Sequence, residues 1–84
     1  MALPAEPVTL TVEQIGELNQ KLANLRHDVN NNLSLIMAAT EVIRFKPHLS
    51  DKMLATVNEQ PPKIIEAVGK FSAEFERVFG IKRD

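Results

Sequence analysis

Residues 25–33 read Leu25-Arg26-His27-Asp28-Val29-Asn30-Asn31-Asn32-Leu33, and here residue types and spacing could do chemistry. An imidazole can act as a nucleophile or exchange a proton near neutral pH. A carboxylate, Asp28, adjoins it. Asn31 follows His27 by four residues and Asn24 precedes it by three, so on a helix the carboxamides stand one turn to either side. The bland alternative is a solvated surface cluster, Arg26-His27-Asp28. A metal site is disfavoured, because no second histidine lies at helical ligand spacing and asparagine is a poor transition-metal ligand. His48, after Pro47, reads as a loop residue.

The elements that must hold this segment are helical. Residues 1–10 carry Pro4 and Pro7 without periodicity and read as an extended arm. Thr11-Val12-Glu13-Gln14 then has the form of a capping box. Ile15, Leu18, Leu22, Leu25, Val29, Ile36 and Ile43 recur at a and d positions, with Asn32 and Ala39 at the skipped d positions. The unbroken phase predicts one long helix ending near Phe45, before Lys46-Pro47. In that register His27 falls at f, the outermost position. The three asparagines cost roughly half a kcal/mol or more each relative to alanine. Asn32 could fix register; alternatively, Asn31 or Asn32 caps a new helix after a break.

A loop from Lys46 to Ser50 leads to a second pattern, with Ser50 or Asp51 as N-cap. Leu54, Val57, Pro61, Ile64, Val68, Phe71, Phe75 and Val78 alternate steps of three and four. Pro61-Pro62 predicts a kink or break near Glu59 to Pro61. Gly80 suits a left-handed cap, with Ile81 making its hydrophobic contact. Phe71, Phe75 and Phe79 read as core rather than a ligand box. Lys82 and Arg83 answer the helix dipole, and residues 81–84 form a tail.

The chain is 84 residues long, 44% hydrophobic and 25% charged, which fits one small soluble domain. Ten basic and eleven acidic residues leave a net charge of −1, so nothing favours nucleic acid or an anionic membrane as partner. There is no cysteine, which excludes disulfides and thiolate metal sites. No signal peptide or membrane-spanning run is present in the sequence, and a cytoplasmic location is expected. A nucleotide-binding catalytic domain does not fit in so short a chain, and no cofactor is expected within it.

Leu33, Leu35, Met37 and Val42 widen the apolar stripe of the first helix, and Ile65 and Phe79 that of the second. One pair of helices cannot cover so broad a face. The expected fold is all-α: an antiparallel helical hairpin over residues 11–80 that dimerizes into a four-helix bundle.

His27-Asp28-Val29-Asn30-Asn31-Asn32-Leu33 resembles the H-box of the dimerization and histidine phosphotransfer domain (DHp, HisKA-like) of sensor histidine kinases. That box carries a histidine, an acidic residue, two variable positions, threonine or asparagine, proline and leucine. His27, Asp28, Asn31 and Leu33 match it, and the resemblance extends to the hairpin over residues 11–80. It implies that His27 is the phosphoacceptor, that Asp28 is its acidic partner, and that Asn31 positions water during dephosphorylation. The implied partners are a second copy of the chain, a response-regulator receiver domain and a kinase acting in trans. The chain departs from the family at Asn32, where proline is usual, and at Asn30, where arginine is common. No ATP-binding domain follows Gly80 in these residues, so a phosphoryl group must come from another protein.

Two readings follow. One is a stand-alone phosphotransfer or receiver-phosphatase module of a two-component pathway, favoured over a kinase fragment by the start at Met1. The other is a non-catalytic dimeric scaffold that keeps the hairpin architecture and only binds partners.

Overall fold

The computed structural model describes residues 2–82, and the expected dipole role of Arg83 lies outside them. Helix α1 spans Val12–Phe45, a single 3-10 turn spans Pro47–Leu49, and helix α2 spans Ser50–Phe79. The two long helices pack against each other as a hairpin.

The capping box forms as its residues require. The Gln14 amide donates to Thr11 Oγ1 at 3.1 Å, and the Thr11 amide donates to Gln14 Oε1 at 2.8 Å. The pair satisfies donors that a helix start leaves orphaned. From there α1 runs 34 residues without interruption. The alternative of a break at the asparagines is therefore overturned: Asn30, Asn31 and Asn32 are all helical. Asn32 points inward, 7% exposed, and Ala39 is 3% exposed. The two skipped d positions are thus the most deeply buried residues of α1.

Ser50 corrects the expected N-cap. It is the first helical residue, and its hydroxyl donates to the Pro47 carbonyl at 2.5 Å instead of accepting from an amide. The single 3-10 turn makes the reversal and supplies the helix entry that a capping side chain would otherwise give. A break at Pro61-Pro62 is likewise overturned, since α2 continues through both prolines. The carbonyls of Val57 and Asn58 lose their donors four residues on, a loss that the rest of a 30-residue helix outweighs.

The end of α2 is a Schellman motif. Gly80 takes φ +67°, the Ile81 amide donates to the Glu76 carbonyl at 2.8 Å, and the Gly80 amide donates to that of Arg77 at 3.4 Å. The N-terminal arm returns to this end: Ala2 and Lys82 exchange both backbone hydrogen bonds, at 2.8 and 3.0 Å. Phe71, Phe75 and Phe79 form a ladder along α2, with ring centroids 6.1 and 4.5 Å apart.

The hairpin is long and flat, 58 × 28 × 12 Å. Its radius of gyration is 18.1 Å, against about 12 Å for a compact chain of this length. It exposes 6529 Å², whereas a compact 9.4 kDa protein exposes about 5,000 Å². Ala39 is the only buried apolar residue among those described. Among the described residues no helix is long and apolar enough to cross a membrane.

Candidate functional site

Asn32 and Gln60 mark the directions in which α1 and α2 face each other, and the rest of each helix follows at about 100° per residue. On α1, Leu22, Val29, Leu33 and Ile36 lie about 40–100° to one side of the Asn32 direction. Asn24, Asp28 and Asn31 lie about 40–100° to the other. On α2, Ile64, Ile65 and Val68 share the apolar side, and Lys63, Glu66 and Lys70 share the polar one. The hairpin therefore has one apolar broad face and one polar broad face, and the candidate site belongs to the polar one.

His27 projects from that face with its side chain 83% exposed, as the f position requires. Its Nδ1 lies 3.5 Å from Asp28 Oδ1. An ionised carboxylate can only accept, so any hydrogen bond at this contact has Nδ1 as its donor. Neighbouring residues on a helix diverge by about 100°, which is why the contact is long. Asn24 is held from the preceding turn by Gln20 Nε2, which donates to its Oδ1 at 3.0 Å.

Asp28 and Asn31 do more than flank His27. With Asn32 they line one wall of a groove of about 250 Å³ whose other wall is Lys63, Glu66, Ala67 and Lys70 of α2. A second hollow continues it toward the helix ends, sharing Asp28, Ala67 and Lys70 and adding Lys21, Asn24, Leu25, Phe71 and Glu74. His27 lines neither hollow. Lys70 Nζ pairs with Glu66 at 3.2 Å. The lysines were not found by sequence reading, because nothing local to His27 names residues some forty positions away. Only the hairpin register brings them alongside.

Toward the turn the same face becomes apolar. Val42, Phe45, Leu49 and Met53, with Glu41 and Lys46, line a groove of about 440 Å³. His48 is exposed in the 3-10 turn, remote from His27. Among the described residues no group of three or more histidine, cysteine, aspartate or glutamate side chains could hold a metal ion. At the far end, Arg77 Nε and Nη2 both donate to Glu74, the former at 3.3 Å. That guanidinium holds the Glu74 carboxyl below its ordinary range.

No family model matches this chain, and neither a curated protein nor a solved structure matches it.

Proposed function

We propose that this chain is a phosphotransfer module of a two-component pathway, acting in the cytoplasm as a homodimer whose His27 carries the phosphoryl group. The observation that supports this most is the setting of His27: an exposed imidazole on an unbroken helix, its Nδ1 turned to Asp28. The match of His27, Asp28, Asn31 and Leu33 to the H-box supplies the reaction class.

The chemistry follows from the tautomer. Nε2 attacks the phosphorus of an aspartyl phosphate on a receiver domain. An N–P bond forms as the P–O bond breaks, and the aspartate carboxylate leaves with the electron pair. The Nδ1 proton passes toward Asp28 and solvent, so the ring does not retain a positive charge. In dephosphorylation, Asn31 orients a water on the same phosphorus. The exposure of the His27 side chain leaves the in-line approach open.

The second copy is proposed from area. Two hairpins expose twice 6529 Å², whereas a compact protein of the combined mass exposes about 8,300 Å². Reaching that value requires burying about 4,800 Å², within the range of obligate homodimers. The face that would be covered carries Leu22, Leu33, Met37, Leu54, Ile65 and Val68, all exposed in the single hairpin. Covering it completes a four-helix bundle and leaves His27 outward. The bend at Pro61-Pro62 belongs to this proposal, at the turn whose two missing N–H groups make α2 easiest to deform. The receiver would dock below His27, where Val42, Phe45, Leu49 and Met53 offer an apolar groove.

Incubation with a panel of phosphorylated receiver domains tests the reading. Receiver phosphate should fall with wild-type protein and persist with His27→Ala. Unchanged receiver phosphate across the panel would leave the scaffold reading instead.

A further inference from the structure

The carboxamide of Asn32 is used neither by the fold nor by phosphotransfer. Asn32 is 7% exposed, at a d position where leucine would complete the apolar seam. Its side chain makes no hydrogen bond among the described residues, and a buried amide left without a partner is costly. Yet it is not sealed: among the described residues, Gln60 Oε1 is the one side-chain polar atom closed to solvent without a partner. The Asn32 amide therefore keeps an opening, and it lines the first of the two hollows between the helices.

The hollows differ in what they offer. Three lysines and three carboxylates line the pair, so the walls give no net charge to hold a small anion or cation. Recognition falls to the Asn32 amide in the first hollow and to Leu25 and Phe71 in the second, which measures about 230 Å³. A carboxamide presents a donor and an acceptor side by side and is matched by another carboxamide; an ionised carboxylate can only accept. The hollows join where Ala67 lines both. Their linings are displaced by roughly four residues on α2 and six on α1, or 6–9 Å at the helical rise. Side chains on one face of an extended peptide repeat every two residues, about 6.7 Å.

We propose that the two hollows bind an extended peptide segment of a partner protein. A glutamine or asparagine side chain enters the first hollow and pairs with Asn32. An apolar side chain two residues away enters the second and rests on Leu25 and Phe71. The trench runs along the polar broad face, opposite the face proposed for the second copy, and His27 is no part of it. The site is therefore independent of the phosphotransfer reading and stands or falls apart from it.

The probe is a synthetic peptide, Gly-Ser-Leu-Ser-Gln-Ser-Leu-Ser-Gly, which meets the spacing in either chain direction. It is titrated into the isotope-labelled intact chain and read from the Asn32 side-chain NH₂ and Leu25 backbone amide resonances. Both should shift saturably, with a Kd of about 0.1–1 mM. Exchanging the peptide's glutamine for glutamate should weaken binding about ten-fold. Asn32→Leu should weaken it as much, in a protein that stays helical because leucine suits a d position. Ala67→Met, which fills the junction of the hollows, should also weaken binding. No saturable shift at millimolar peptide overturns the proposal, as does equal affinity for the glutamine and glutamate peptides. Free glutamine binding as tightly as the peptide would overturn the extended segment as occupant.

Discussion

His27 Nδ1 stands 3.5 Å from Asp28 Oδ1, on the polar broad face of a hairpin whose other broad face is apolar. A hydrogen bond from Nδ1 to that carboxylate leaves Nε2 as the nitrogen available for chemistry, on a side chain that is 83% exposed. A carboxylate beside an imidazole is ordinary. Its consequence here comes from the unbroken helix beneath it, which keeps the imidazole out of any interior contact.

Substitutions at the site should separate its parts. His27→Ala should abolish phosphoryl transfer from a receiver. Asp28→Asn should slow transfer by about 10–100-fold while circular dichroism remains that of a helical protein. Asn31→Ala should retain transfer and slow loss of the phosphate to water. A time course that follows phosphate on both proteins distinguishes the three outcomes.

The apolar face makes the oligomer testable by mass. Light scattering should give twice the 9.4 kDa chain mass. Ile65 is 71% exposed in the hairpin, so Ile65→Glu is harmless to a monomer. In the proposed dimer it buries a charge, and it should produce monomers with reduced helicity. An Ile65→Glu protein of unchanged mass and helicity would place that residue outside any interface.

Gln60 is a local weak point. It is 2% exposed; its Nε2 donates to the Thr56 carbonyl at 3.0 Å, but its Oε1 is buried without a donor. Replacing it by methionine removes an unmet acceptor at similar volume. Gln60→Met should raise stability by about 1 kcal/mol, read as a higher urea midpoint at constant slope.

The helix ends should respond in their own way. Gly80→Ala places a Cβ on a left-handed residue and should cost about 1 kcal/mol. Nothing lies within 4 Å of the added Cβ, so the cost is conformational rather than steric crowding by a neighbour. Thr11→Ala should cost about as much, roughly 1 kcal/mol, through loss of the capping box. Both are measured by urea unfolding.

Acid should weaken the end of α2. The hydrogen-bonded Arg77 guanidinium lowers the Glu74 carboxyl from its ordinary value of 4.5. A depressed carboxyl stabilises the folded state above its unfolded value, and that contribution is lost as pH falls through the folded one. Arg77→Gln should therefore lose less stability than wild type between neutral pH and pH values below 4.5. Unfolding curves across that range check the sign.

What could be read from sequence was local. Thr11 with Gln14, Gly80 with Ile81, and the f position of His27 each depend on residues within one or two turns, and each stands where the spacing predicts. What escaped depends on the second helix. Asn32 and Ala39 look like gaps in an apolar stripe, yet they are the buried residues of α1. Ser50 has a capping side chain, but the 3-10 turn before it directs the hydroxyl elsewhere. Pro61-Pro62 carries a strong breaking signal in isolation, which a long packed helix overrides. Lys63 and Lys70 join the site only through the hairpin register, and no spacing near His27 could have found them.

Mapping the phosphate to a residue tests the central claim most directly. After incubation with phosphorylated receiver domains, the chain should be digested and its peptides analysed at alkaline pH, where phosphohistidine survives. The account predicts phosphate on His27, removed by mild acid and absent from His27→Ala. Phosphate on another residue, or none on His27 with any receiver in the panel, would contradict it.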